Sequence, residues 1–141
     1  PAPDWGRLNE MLQAMKLLEW RPPKGPWPDP DPWFRFEGLR EIFSKAKFRE
    51  QVKIELFKGG EKIGDLGTFG SKFRRGEKLA PLTIMPKGAF MKGISKRGSK
   101  MLQSGGEYKL VFKNMAGKIM VEKAVELREQ TKLREQTRGI R

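Results

Sequence analysis

The sequence predicts an α+β fold: a small antiparallel sheet with one packed helix, preceded by an amphipathic helix and a proline-rich extended arm. Two observations lead to this prediction. The spacing of apolar residues changes from a helical period to an alternating one near residue 50, and residues 21–36 contain six of the ten prolines. A chain of 141 residues suits one domain with extensions. We divide it into a helix and arm (1–37), a basic α+β domain (38–127) and a charged C-terminal tail (128–141).

An amphipathic helix is predicted for residues 5–21, with Asp4 as its N-cap. Apolar side chains recur there at steps of three and four residues, namely Trp5, Leu8, Met11, Leu12, Met15 and Leu18. The pattern leaves two interpretations open. The helix packs either on its own domain or on a neighbouring subunit.

The proline-rich arm is predicted to run as a polyproline-like strap, because proline fixes its own φ and favours extended geometry in the preceding residue. Four aromatic residues are the predicted hydrophobic contacts with a partner chain: Trp27, Trp33, Phe34 and Phe36. The alternative is a stiff linker whose aromatic rings fold back on the chain's own core.

The middle of the chain starts with a short helix, whose apolar face is marked by Leu39, Ile42, Phe43 and Ala46. Residues 52–56 then alternate apolar and charged side chains, as a half-buried strand does, and a Gly-Gly turn at 59–60 leads to a strand at 63–66. Residues 67–78 form a glycine-rich basic loop carrying Lys72, Arg74 and Arg75. This loop is either a contact surface for phosphate or carboxylate groups or a solvated hairpin loop.

Further along, the pattern predicts a strand at 79–85, a helix at 88–104 that carries Lys96 and Arg97, and a Gly-Gly stop at 105–106. A strand beginning near Tyr108 and a turn at 114–117 follow. Residues 119–127 suit a strand or a helix. The tail repeats a six-residue unit, which builds no apolar helical stripe, so we expect a charged extension there.

The net charge is +13, and it is concentrated in the middle of the chain. Lys/Arg minus Asp/Glu is 5 − 6 = −1 for residues 1–39, 19 − 7 = +12 for 40–118 and 6 − 4 = +2 for 119–141. Such a domain favours an acidic partner. Cys and His are both absent, which removes thiolate chemistry, most zinc and iron sites and the commonest general acid-base group. No residue pattern nominates a catalytic group, so we predict that the chain is not an enzyme.

The order of elements in residues 50–113 carries a family resemblance. A basic loop and a strand ending in TIMP (83–86) lead into the helix, and KMLQSGGEYKLVF (100–112) leads out of it. This resembles the small-linker domain of phycobilisome linker polypeptides, where a strand ending in Val-Pro-Tyr precedes a short helix and Gly-Gly-Lys-Ile-Val opens the final strand. Pro86, Gly105 and Gly106 match marked positions, whereas Lys87 and Glu107 stand where the family has Tyr and Lys.

The resemblance implies a basic, non-catalytic linker that lies within or between discs of acidic pigment proteins. We therefore expect a structural subunit that helps to assemble a large photosynthetic complex, a phycobilisome or photosystem, by binding acidic protein partners. Its expected location is the plastid, peripheral to the thylakoid and without a membrane-spanning segment. We expect no covalently bound cofactor, since Cys is absent, although pigments of neighbouring subunits could contact the chain.

The alternative function is an organellar ribosomal protein that binds rRNA in a mitochondrial or plastid ribosome, because phosphate neutralisation by Lys and Arg supplies most of such affinity. In either case the predicted electrostatic contacts are Lys72, Arg74, Arg75, Lys96 and Arg97.

Overall fold

A computed structural model describes residues 2–21, 33–36, 38–70, 89–90 and 93–128. Within these residues there are three helices and two antiparallel sheets. The helices are α1 (Trp5–Ala14), α2 (Leu39–Lys45) and α3 (Lys96–Gln103); the strands are β1 (Leu17–Arg21), β2 (Trp33–Phe36), β3 (Val52–Lys58), β4 (Glu61–Phe69), β5 (Ala89–Phe90), β6 (Gly106–Lys113) and β7 (Ile119–Leu127). The predicted α+β fold with an antiparallel sheet is confirmed.

The main sheet has four strands in the order β4-β3-β6-β7. Two hairpins build it, and their inner strands β3 and β6 pair with each other. The predicted turn at residues 59–60 closes the first hairpin, and the predicted turn at 114–117 closes the second. Residues 119–127 form a strand rather than a helix. Alternate side chains of that strand are buried, namely Val121, Lys123, Val125 and Leu127.

The smaller sheet has the order β1-β2-β5 and corrects the prediction for residues 5–21. The helix ends at Ala14, and residues 17–21 pair with β2 as a strand. Helix propensity is a weak preference that long-range strand pairing can override. The predicted helix at 88–104 is likewise too long: residues 89–90 join β2 as a strand, and α3 starts only after Ser95, whose hydroxyl accepts a hydrogen bond from the Gly98 amide.

Helix α1 packs on the four-stranded sheet. Leu8 and Leu12 are fully buried beneath it, and the end of the helix is bonded to β7. The Gln13 side-chain amide donates to the carbonyl of Glu122 at 2.7 Å, and the Lys123 ammonium donates to the carbonyl of Gln13 at 2.7 Å. Lys123 thereby satisfies one of the carbonyl groups that a helix C-terminus leaves without an intrahelical partner. Of the two interpretations of this helix, packing on its own domain is the one that the structure shows.

On the opposite face of the sheet, Glu55 forms a buried charge cluster. Lys62 Nζ lies 2.9 Å from Glu55 Oε2, and Lys113 Nζ lies 2.6 Å from Glu55 Oε1. Burial alone raises the pKa of Glu55, but the two lysines outweigh that effect and hold the pKa below its usual value. The charged carboxylate therefore stabilises the folded chain. It also offsets the repulsion between Lys113 and Lys53, which lie directly opposite each other on β6 and β3.

No helix among the described residues combines the length and the apolar composition needed to cross a bilayer.

We predict that Glu55→Gln lowers the free energy of unfolding at pH 7 by about 2 kcal/mol, because it leaves two ammonium groups without their shared carboxylate. The loss should be smaller than for a fully buried pair, since both lysines can still reach water. Urea denaturation measures the change. The control is Glu122→Gln on the same face, where the carboxylate is exposed and lies 3.8 Å from Lys109; we expect a change below about 0.5 kcal/mol.

The same two variants test how the free energy of unfolding depends on pH. Because the folded pKa of Glu55 lies below the reference value of 4.5, its contribution is present above that pH and is lost as pH falls through the folded pKa. Glu55→Gln should lack this part of the acid-induced loss, whereas Glu122→Gln should retain it. Identical acid profiles for wild type and Glu55→Gln would contradict the role given to this carboxylate.

Candidate anionic-partner interface

The turn that ends α2 has the geometry of a Schellman motif. The amide of Lys47 donates to the carbonyl of Ser44 at 3.0 Å, and the amide of Phe48 donates to the carbonyl of Phe43 at 2.9 Å. Such a motif needs one residue in the left-handed conformation, and that residue is usually glycine. Here it is Lys47, with φ 51°. A lysine thus occupies a position where its backbone conformation is costly.

This turn separates apolar from charged side chains. Phe48 enters the core, where its ring packs edge-on against Phe43 at 5.6 Å and against Trp5 at 4.7 Å between ring centroids. The cationic side chains around it point to solvent. These are Lys45, Lys47 and Arg49.

Two contacts fix the position of the turn. The guanidinium of Arg7 on α1 donates to the carbonyl of Lys45 at 3.1 Å, which satisfies a free carbonyl at the end of α2. Gly70 packs against the backbone just after the turn: a Cβ atom at that position would lie 2.5 Å from the carbonyl oxygen of Glu50. Only glycine permits this approach, and the chain continues from Gly70 into the predicted basic loop.

Further lysines lie at the same end of the sheet. β3 begins at this end and pairs Lys53 with Lys113, and the turn that follows β6 carries Lys118. We call the exposed cations of this region the basic end: Lys45, Lys47, Arg49, Lys53 and Lys118. None of the five forms an ion pair with another described residue. Elsewhere on the described surface Lys62, Lys109 and Arg97 form ion pairs, whereas Lys16, Arg40, Lys96 and Lys100 do not. The basic end is therefore available to an external anion.

The predicted contacts Lys96 and Arg97 lie elsewhere. Both are exposed in the first turn of α3, and Arg97 Nη1 lies 2.9 Å from Glu61 Oε1. Glu61 starts β4 and Phe69 ends it beside the basic end. At about 3.3 Å per residue, these two ends of β4 are roughly 26 Å apart. The structure thus separates Lys96 and Arg97 from the basic end.

The predicted aromatic contacts require a correction. Phe34 and Phe36 are 1% and 3% exposed and belong to the chain's own core. They cannot serve as exposed anchors while the chain is folded, so the alternative interpretation, that the rings fold back on the chain, holds for these two. The reason is that residues 33–36 pair with β1 and β5 as a strand, although the proline pattern predicted an isolated strap.

For the other predicted contacts, the structure describes at most the backbone. The backbone of Trp33 belongs to β2. Trp27, Lys72, Arg74 and Arg75 lie outside the described residues, as do the predicted strand at 79–85 and the tail beyond residue 128. Their roles stay predictions.

An open groove of about 440 Å³ lies at the end of the sheet opposite the basic end, lined by Gly59, Glu107, Tyr108, Lys109, Ala124, Val125 and Glu126. Glu107 and Glu126 face each other across β6 and β7. Nearby, the Lys58 ammonium lies 4.3 Å from the centroid of the Tyr108 ring, and burial raises the pKa of that phenol. No three His, Cys, Asp or Glu side chains in the described part of the chain are grouped to hold a metal ion. The groove combines the carboxylates of Glu107 and Glu126 with Lys109, and it lies at the other end of the sheet, so it does not extend the basic end.

Comparison with known proteins assigns the chain to no family: no protein-family model, no curated protein and no solved structure matches it.

We predict that Lys47→Gly raises the free energy of unfolding by roughly 0.5 kcal/mol. The left-handed conformation costs a non-glycine residue about 1–2 kcal/mol, which exceeds the cost of about 0.5–1 kcal/mol for the greater chain entropy of glycine. Lys45→Gly, two residues earlier inside α2, makes the same side-chain deletion and should lower the free energy of unfolding by about 1 kcal/mol. Urea denaturation of both variants decides the matter: equal signs would mean that Lys47 carries no backbone strain.

Proposed function

We propose that the chain is a non-catalytic structural subunit that binds a carboxylate-rich protein surface through the basic end and so helps to assemble a large photosynthetic complex. The observation that carries the proposal is the group of five exposed cations at one end of the sheet, without an ion-pair partner among the described residues. Three of them lie on the turn that Arg7 and Gly70 hold in place. Like charges gathered in this way repel one another, and a partner of opposite charge relieves the repulsion.

The strained backbone of Lys47 supports a binding role. A residue in a costly backbone conformation suggests selection for something other than stability. A glycine there would preserve the Schellman motif and lose only the ammonium group. The absence of Cys and His from the sequence supports a role without catalysis.

The photosynthetic part of the proposal is supported by the resemblance of residues 50–113 to small-linker domains. The junction on which that resemblance partly depends, a helix followed by Gly105, Gly106 and a strand, is present at the end of α3. Gly105 takes φ 71°, which suits glycine after a helix.

An rRNA-binding ribosomal protein is the second candidate, favoured by the same exposed cations, which could contact phosphates. Two carboxylates lie within the segment that carries three of these cations: Glu41 and Glu50 are both exposed. A phosphate backbone would meet them as repulsive neighbours, whereas a protein surface of mixed charge can pair with them. This supports the protein partner over RNA.

The native particle distinguishes the two candidates. We expect the particle that is isolated through a tag on the full chain to show strong visible pigment bands. An absorbance maximum at 260 nm that ribonuclease removes would instead identify the partner as RNA.

A charge-matched pair of variants tests the interface itself. Lys45→Gln/Lys47→Gln/Arg49→Gln and the control Lys96→Gln/Lys100→Gln/Lys109→Gln, whose three lysines are exposed away from the basic end, each lower the net charge of +13 by three. We expect the first to weaken binding to the particle by about tenfold, because three exposed contacts with carboxylates contribute up to about 1 kcal/mol each, and the control to weaken it by less than about threefold. Co-sedimentation measures the bound fraction. Equal losses would show that net charge, and not this surface, determines binding.

A further inference from the structure

The turn between β6 and β7 exposes two aliphatic side chains. Met115 is 46% exposed and Ile119 is 45% exposed, and they are the large hydrophobic residues that the described surface presents to solvent. Met115 lies in this turn and Ile119 is the first residue of β7, and packing within the chain does not account for their exposure.

The turn that carries them is held rigidly. Asn114 Oδ1 accepts hydrogen bonds from the amides of Ala116 at 3.1 Å and Lys118 at 2.9 Å. The backbone of Asn114 is also bonded to Lys118 and Gly117, at 3.0 Å and 2.9 Å. A surface that is already ordered loses little conformational entropy on binding. These bonds order the backbone that carries Met115 and leads into Ile119.

Cations surround this aliphatic pair. The turn lies at the basic end, since β6 enters it from Lys113 and the chain leaves it at Lys118. Residues 111–121 contain two lysines, Lys113 and Lys118, and no acidic residue, and Lys53 lies opposite Lys113 on β3. A protein interface commonly consists of an apolar centre within a polar rim. The turn and the basic end together have that composition.

We propose that Met115 and Ile119 are the hydrophobic anchor of the basic end and enter an apolar depression, bordered by carboxylates, on the protein partner. This inference rests on the proposed function and adds the chemistry of the partner's surface. A second copy of this chain does not fit, because its own cations would face those of the first. A nucleic acid does not fit either, since aliphatic side chains neither pair with phosphates nor stack on bases as aromatic rings do.

The test compares binding of three full-length chains to the native particle from which the endogenous chain has been removed by salt. They are the wild type, Met115→Ser/Ile119→Ser and the control Ala116→Ser, which alters the same turn without removing an apolar anchor. We expect the double variant to bind at least about tenfold more weakly at every NaCl concentration, as is typical when central interface residues are truncated. The slope of log Kd against log [NaCl] should stay unchanged, because no charge is removed. Ala116→Ser should bind as the wild type does.

Several outcomes would overturn the inference. Unchanged affinity of the double variant would do so, and so would an equal loss for Ala116→Ser. Binding of the wild type to vesicles of phosphatidylcholine with 30% phosphatidylglycerol, lost in the double variant while particle binding persists, would assign the anchor to a lipid surface. If the double variant binds normally but the triple charge variant does not, only the anchor is wrong. If both bind normally, or if no particle is recovered with the chain, the proposed function fails as well.

Discussion

The packing of Phe48 against Phe43 is the contact on which the basic end depends. It closes the Schellman motif after α2, turns the chain back toward β3 and places one aromatic ring in the core between two exposed cations. The contact requires Lys47 to take the left-handed conformation. Core packing and surface charge are thus produced by the same five-residue turn, and a change in the turn affects both.

The sheet brings other segments of the chain to the same end as this turn. Because β3 starts directly after the turn and pairs with both β4 and β6, the end of α2, Gly70 and the β6–β7 turn all come to one end of the sheet. Most acidic partners of lysine and arginine lie further along the strands or at the other end, for example Glu55 and Glu61. The chain therefore has cations over much of its described surface, and five exposed cations without an ion pair share one end of the sheet with an exposed apolar pair. Such a combination is typical of a binding surface rather than of a solvated face.

The sequence predicted the fold class, the short helix α2 and both hairpin turns, because those features depend on local patterns: apolar spacing, Gly-Gly and Asn-x-x-Gly. The prediction was wrong where segments that are far apart in the sequence pair as strands. The apolar period of α1 continues past Ala14 in the sequence, yet pairing with residues 33–36 converts the continuation to a strand. The same pairing places Phe34 and Phe36 in the core. The proline pattern had predicted that this aromatic segment is exposed, but these two rings are buried.

For the candidate site, the sequence predicted the chemistry of the partner but not the residues that form the surface. A preference for acidic partners followed from the net charge, but the two residues chosen from α3, Lys96 and Arg97, do not lie at the basic end. The sequence pattern marks a binding role only weakly for Lys45, Lys47 and Arg49, because they lie off the apolar face of a helix, as ordinary surface residues do. It does not mark Met115 and Ile119 at all, because an exposed aliphatic residue and a buried one look the same in a sequence. The left-handed backbone of Lys47 also becomes visible only in three dimensions.

Hydrogen–deuterium exchange tests the central claim most directly, by comparing the free chain with the chain in its native particle. The account predicts slower exchange in the particle at residues 47–51 and 114–119, with unchanged rates in α3 and around the groove at Gly59 and Glu107. Protection confined to α3 and the groove, with residues 47–51 and 114–119 exchanging as fast as in the free chain, would contradict it.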